Sequence, residues 1–190
     1  MDTYIGLGVV LKNDESLANE LENIMDLLEN HAQEIVVTYP KDGDLNDWQH
    51  EAIEGRLYDV IDYLTYRTSY ADMMLDLGGR VVEARLSLTN ESDVAVMKLE
   101  IADKGMFKDR TLEDLEAVTS ILTDFIEAID RSVTYSYIFC DNEAEFLYTK
   151  ERLLEVGYNP YAILKMHDRT TAYAAWYVDG FTERPTQKVS

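Results

Sequence analysis

The chain has 190 residues, 46% of them hydrophobic, so it can bury a full core and is not intrinsically disordered. Its 37 acidic and 17 basic residues give a formal net charge of -20, which argues against binding to DNA, RNA or an anionic membrane surface through clustered Lys and Arg. A lone Cys140 excludes an intramolecular disulfide. With no basic signal-peptide start and no apolar run of roughly 18 residues, the sequence predicts a cytoplasmic protein.

The negative charge is unevenly distributed along the chain. Residues 14–62 contain fourteen acids against Lys41 and Arg56, whereas residues 160–190 contain three acids and four bases. Solvated helix faces are one explanation of the excess. The other is a surface that meets a basic partner, because complementary charge speeds encounter.

The first part of the chain alternates predicted strands and helices. Residues 4–11 are β-prone, and 17–32 carry apolar residues at helical spacing with acids on the opposite side. Residues 34–39 predict a second strand, and the apolar positions of 46–66 indicate a second helix, weakened by a glycine. Residues 67–77 fit either a helix or a strand.

The stretch 79–101 predicts a hairpin around which the fold is built. Alternating apolar residues occupy 82–88 and 95–101, with charged or polar residues between them, and residues 89–93 are turn formers. One apolar and one polar face indicate an antiparallel pair that is solvated on one side.

The remaining chain predicts two helices and three strands. Residues 112–129 form a helix with Thr111 as its cap, 133–140 a strand, and Asn142 a helix start that ends at Gly157. The final strands are predicted at 161–165 and 171–178. We therefore predict a single α+β domain over 1–182, with a mixed or mostly antiparallel sheet, helices packed mainly on one face, and a frayed tail at 183–190.

Two short motifs fail their chemical tests. Gly6-Leu7-Gly8 lacks the third glycine and the helix start of a dinucleotide-binding loop, so a strand that another backbone approaches closely is the better interpretation. The run from Asp42 to Asp47 resembles the start of a calcium loop. However, Asp47 stands where the turn glycine belongs and Ile53 where the bidentate Glu belongs.

No residues are predicted to be catalytic, metal-binding or cofactor-binding. The three histidines are far apart in sequence, and Cys140 ends an apolar strand without a nucleophile signature. Carboxylate pairs are expected by chance in so acidic a chain. The C-terminal region is aromatic, and most of these side chains are expected in the core, with the rest available to an interface. They are Tyr158, Tyr161, Tyr173, Trp176, Tyr177 and Phe181.

Two acidic stretches are the candidate partner-binding site. Acids 47, 51 and 54 of the first stretch would share one face of the predicted helix, beside an aromatic anchor. The candidate residues are Asp42, Asp44, Asp47, Trp48, Glu51, Glu54, Asp141, Glu143 and Glu145.

In its size, acidity, α+β pattern and these acidic stretches, the chain resembles the immunity proteins of bacterial polymorphic or contact-dependent toxin systems. The resemblance implies a non-enzymatic protein without cofactors that binds and occludes a basic toxin domain, such as a nuclease. Two alternatives stay open: a small hydrolase or transferase whose site is assembled from distant residues, and a regulatory module that dimerises through its C-terminal strands.

Overall fold

A computed structural model describes residues 3–65, 68–109 and 111–176 of the chain. The strands are β1 Tyr4–Lys12, β2 Ala32–Pro40, β3 Trp48–Ala52, β4 Tyr70–Leu77, β5 Arg80–Glu91, β6 Val94–Ala102, β7 Tyr137–Asn142, β8 Ile163–Met166 and β9 Thr171–Tyr173. The helices are α1 Leu17–Glu29, α2 Val60–Leu64, α3 Asp103–Met106, α4 Leu112–Ser132 and α5 Lys150–Val156, with short 3-10 turns at Lys41–Gly43 and Leu57–Asp59.

The described strands form one sheet in the order β3-β2-β4-β5-β6-β1-β7-β8-β9, and every neighbouring pair is antiparallel. The prediction of a mostly antiparallel sheet is confirmed. The β5–β6 hairpin lies at its centre, with Leu86 opposite Leu99, so the predicted central hairpin is also confirmed.

One side of the sheet, here called the covered face, carries the main core. Alternate residues of β1, β4, β5 and β6 point into it and pack against α1 and α4. Helix α4 begins where the sequence predicts, because the Thr111 side chain accepts a hydrogen bond from the Asp114 amide. Leu122 and Ile126 of α4 and Met25 of α1 are fully buried there.

Among the described residues, the other side of the sheet is covered mainly near β1, β7 and β8. Here Leu153 of α5 packs with Tyr137, Phe139 and Tyr161 in a second core, and the Phe139 and Tyr161 rings stack at 4.7 Å. The prediction that the helices pack mainly on one face is therefore not confirmed, because α5 and the chain beside it lie on this second side. Over β4, β5 and β6 the same side is here called the open face. Its residues are Tyr70, Asp72, Arg85, Ser87, Lys98 and Glu100.

The prediction of a helix over 46–66 is wrong. Trp48–Ala52 is strand β3, paired with β2 so that Trp48 lies opposite Pro40 and Ala52 opposite Val36. Helical structure is limited to the short α2 and the 3-10 turn before it. A partner strand distant from the local pattern supplies the backbone hydrogen bonds, and this outweighs helical spacing.

Two other boundaries differ from the sequence predictions, and the structure decides one stretch that fits either a helix or a strand. The ambiguous stretch before the central hairpin forms strand β4, and β7 begins at Tyr137, four residues later than predicted. Helix α5 begins after Thr149, whose side chain caps it, and not at Asn142, although it ends at Gly157 as predicted. The predicted tail 183–190 lies outside the described residues.

Among the described residues, no helix combines the length and the apolar character needed to cross a membrane.

Candidate functional site

The β2–β3 hairpin presents the first predicted acidic stretch at its tip. Asp42 and Gly43 adopt left-handed backbone angles, and the Asp44 carboxylate accepts hydrogen bonds from the Asn46 amide at 2.9 Å and its side chain at 3.0 Å. The indole of Trp48 donates to the Leu45 carbonyl at 2.8 Å. These contacts fix the conformation of an exposed turn.

The tip combines exposed apolar side chains with carboxylates. Leu45 is 61% exposed and Trp48 is 37% exposed, although both are large hydrophobic residues. The predicted acids of this stretch, Asp42, Asp44, Asp47, Glu51 and Glu54, are all exposed. An apolar centre with a charged rim is the composition of many protein-binding surfaces.

The arrangement of these acids differs from the predicted helix face. Because β3 is a strand, Trp48 and Glu51 point to opposite sides of the sheet. Glu51 accepts a hydrogen bond from the Tyr39 hydroxyl at 3.2 Å, and its hydrogen bond to Tyr63 raises the pKa of that phenol. Asp47 stays beside Trp48 at the tip, where its carbonyl accepts the Lys41 amide.

The second acidic stretch does not form one surface. Asp141 is 1% exposed, and its carboxylate accepts the Asn142 and Ala162 amides, so it holds β7 and β8 together inside the fold. Glu143 is exposed, and the Glu145 carboxylate accepts the Tyr4 hydroxyl at 2.6 Å. Burial and hydrogen bonding to Glu145 raise the pKa of Tyr4.

The two acidic stretches lie far apart on the sheet. In strand order β3 and β7 are separated by six spacings of about 4.8 Å, or about 29 Å in all. The structure therefore does not bring Asp141, Glu143 and Glu145 next to the hairpin tip.

A groove of about 940 Å³ runs over the open face between these two regions, here called the open-face groove. Thr65, Thr68 and Ser69 line one side, and Glu145 and Phe146 line the other. Strands β4, β5 and β6 form its floor.

Paired charges occupy the floor of the open-face groove. Arg85 contacts Asp72 through two hydrogen bonds, at 2.7 and 3.2 Å, and its guanidinium stacks on the Tyr70 ring at 3.9 Å. Hydrogen bonding to Asp72 raises the pKa of Arg85, against the effect of burial. Such bidentate pairs hold both side chains in one geometry.

Lys98 joins the groove floor to its wall. Its ammonium lies 2.8 Å from Glu100 and 2.7 Å from Glu145. Burial disfavours the charged form of Lys98, but the two carboxylates outweigh it and the pKa of Lys98 is raised. The contact with Glu145 ties the segment after β7 to the open face.

The histidines and the cysteine do not form a common site. His31 contacts the Asp76 carbonyl, His50 contacts the Thr38 hydroxyl, and Cys140 is fully buried, which raises the pKa of its thiol. In the described part of the chain, no three His, Cys, Asp or Glu residues are grouped as metal ligands.

One smaller pocket, of about 300 Å³, contains a histidine and a carboxylate. The His167 ring lies 3.1 Å from the Lys150 ammonium. The Asp130 carboxylate instead accepts the Tyr135 hydroxyl at 2.6 Å and lies 3.8 Å from Lys165. Each group thus has its own partner, which is not the arrangement of a histidine base oriented by a carboxylate.

The C-terminal aromatic residues divide between core and surface. Tyr161 and Trp176 are buried, whereas Tyr158 and Tyr173 are exposed. Tyr177 and Phe181 lie outside the described residues.

Comparison with known proteins identifies the family. The model of the Immunity protein 64 family matches residues 3–184. The chain belongs to this family. Immunity protein 64 membership implies a cognate toxin as the partner.

Other comparisons give less information about this Immunity protein 64 member. No curated protein matches the chain. A solved structure, the Pseudomonas aeruginosa T6SS protein PA0821, is similar over 74% of this chain and 40% of that chain, with 9% identity and a TM-score of 0.35. The chain thus spans less than half the length of that protein.

Sequence reasoning missed the open-face groove of this Immunity protein 64 member. The alternation in β5 and β6 does place Arg85, Lys98 and Glu100 on one polar face. Nothing local reveals that Glu145, 47 residues after Lys98, closes over that face, because this contact depends on the position of β7 in the sheet.

Proposed function

We propose that this immunity protein binds a basic cognate toxin domain and covers its active surface, with the β2–β3 hairpin tip at the contact. The observation that supports it most directly is the exposed pair Leu45 and Trp48 within a rim of Asp42, Asp44 and Asp47. In this proposal the protein acts in the bacterial cytoplasm, where it neutralises the toxin without a cofactor.

The conformation of the tip favours tight binding. Trp48 and Asp44 are already held by hydrogen bonds to the turn, so little freedom is lost when a partner covers them. An aromatic anchor at the centre of an interface contributes much of its binding energy. The Leu45 side chain beside it supplies further apolar contact.

The charge of the tip suits a nuclease as the toxin. A nuclease cleft binds a polyanion and is therefore basic, and carboxylates at the positions of phosphates compete for it. A net charge of -20 also accelerates the encounter with a basic domain.

The experiment measures binding to the cognate toxin domain, used in a catalytically inactivated form. Asp42→Asn, Asp44→Asn and Asp47→Asn together remove three charges, while Asn retains the turn geometry. We expect the association rate to fall about tenfold at low salt, with a smaller difference at high salt. Trp48→Ala should raise the dissociation rate by about 30-fold, as expected for loss of a central anchor.

A matched control removes three exposed charges from helices α1 and α4. It combines Glu22→Gln, Glu116→Gln and Asp124→Asn, which change the net charge equally. If this variant slows association as much as the hairpin variant, the tip is not the contact. The proposal would also be contradicted if the affinity for the toxin domain changed neither with salt concentration nor in the hairpin variants.

A further inference from the structure

We infer that the open-face groove binds a Lys- or Arg-bearing segment of the toxin, as a second contact beside the hairpin tip. The inference rests on the proposed function, because it needs a basic toxin. It extends the contact from the end of β3 across β2, β4, β5 and β6.

The strand register makes the groove continuous with the hairpin. His50 lies opposite Thr38, Thr38 opposite Tyr70, Tyr70 opposite Ser87, and Ser87 opposite Lys98. Residues directly opposite each other in a sheet point to the same face. A partner seated on Trp48, which is on the same side as His50, can therefore follow this row into the groove.

The groove and the adjoining depression of the open face carry surplus negative charge. Six carboxylates line them or lie on their floor: Glu34, Asp72, Glu83, Glu91, Glu100 and Glu145.

Among the described residues that line these two pockets, Arg85 and Lys98 are the basic side chains, and both are already paired with carboxylates. The surplus is complementary to an ammonium or guanidinium group. It would repel a phosphate or an acidic peptide.

Ser69 provides a second, independent indication of a ligand. It lines the groove and is 3% exposed, yet its hydroxyl finds no hydrogen-bond partner among the described residues. Buried polar groups are normally paired, and one that is not requires an explanation. A basic side chain entering the groove would donate a hydrogen bond to this oxygen.

A steric test fills the groove without changing its charge. Ser87 lies on β5 at the groove floor, and Ser87→Trp places a bulky side chain there. Val81→Trp is the matched control, because Val81 is on the same strand and face, is 60% exposed, and is not among the residues that line the groove. We expect Ser87→Trp to weaken binding of the inactivated toxin domain at least tenfold and Val81→Trp less than twofold.

Ser69→Ala separates recognition from folding. Its hydroxyl has no partner in the free protein, so the melting temperature should not fall. Toxin affinity should fall about tenfold to a hundredfold, through loss of one hydrogen bond to a charged group. Unchanged affinity in both Ser69→Ala and Ser87→Trp would overturn the inference.

The outcomes distinguish this inference from the proposed function. If the hairpin variants weaken binding and the groove variants do not, the toxin contacts the tip alone and the groove inference is wrong. If the chain does not bind the toxin domain at all, the proposed function fails. Equal weakening by Ser87→Trp and Val81→Trp would also contradict the groove.

Discussion

Gly6 lies where β1 passes close to the segment after β7. A Cβ added there would be 2.3 Å from the Ala144 carbonyl oxygen and 3.0 Å from its nitrogen. Backbone atoms cannot rotate away as a side chain does. We expect Gly6→Ala to lower the free energy of unfolding by about 1–3 kcal/mol, measured by urea denaturation.

Gly55→Ala is the control for Gly6→Ala. Its added Cβ meets only side-chain atoms of the exposed Asp59, which can move. We expect a change within about 0.5 kcal/mol, as for other surface substitutions. An equal decrease in the free energy of unfolding of the two variants would show that the contact with Ala144 is not the cause.

Cys140 illustrates how burial controls reactivity. The thiol is fully buried, burial raises its pKa, and the thiolate is the reactive form. We expect a thiol reagent at neutral pH to label the native protein at least a hundredfold more slowly than the urea-unfolded chain. Rapid native labelling would indicate that β7 opens locally.

At the scale of elements, Asp114 attaches α4 to the sheet. Its side chain is buried and accepts the Lys108 amide at 2.7 Å, the Asp109 amide at 3.1 Å and the Arg80 guanidinium at 3.1 Å. We expect Asp114→Ala to destabilise the protein by about 3 kcal/mol, because it leaves a largely buried guanidinium without this carboxylate.

Thr111→Ala gives the comparison for Asp114→Ala in the same helix. It removes only the cap of α4, which costs about 1 kcal/mol. Denaturant midpoints of both variants measure the difference. An equal loss of stability in Thr111→Ala and Asp114→Ala would mean that Asp114 acts as part of the helix cap and not as the attachment of α4 to β5.

The sequence predicts elements well where their stabilising contacts are local. Helix α4 has regular spacing and a side-chain cap, and the β5–β6 hairpin has clean alternation with a polar turn; both form as predicted. Strand β3 does not, because its pairing with β2 is absent from the local pattern. The candidate helix face for Asp47 and Glu51 was lost with it.

The candidate site was predictable in composition but not in arrangement. The sequence identifies the exposed acids and Trp48 of the hairpin, since these follow from residue type and turn chemistry. Asp141 has the same residue type, but the neighbouring strand β8 buries it. Such long-range packing decides which acids are available to a partner.

For the whole molecule, stability should fall on the alkaline side. Burial raises the pKa values of Tyr135, Tyr137 and Cys140, with Asp130 adding to the shift at Tyr135. The folded state therefore keeps protons that the unfolded chain releases above its ordinary values of about 8.5 for a thiol and about 10 for a phenol. The stabilisation is complete below these values and is lost as the pH rises.

The measurement is the urea midpoint from about pH 7 to about pH 11. We expect a decrease that begins above about pH 8.5, with a smaller alkaline loss in Tyr137→Phe. A midpoint that stays constant up to about pH 11 would contradict the expected linkage.

The strands are long in the middle of the sheet and short at its two margins. Strand β5 has twelve residues, whereas the outermost strands β3 and β9 have five and three. An outer strand exposes unpaired backbone groups on which another copy can add a strand, and short margins offer few of them. Along the residues that the structure describes, the two margins of this nine-stranded sheet therefore offer little unpaired backbone for edge-to-edge aggregation.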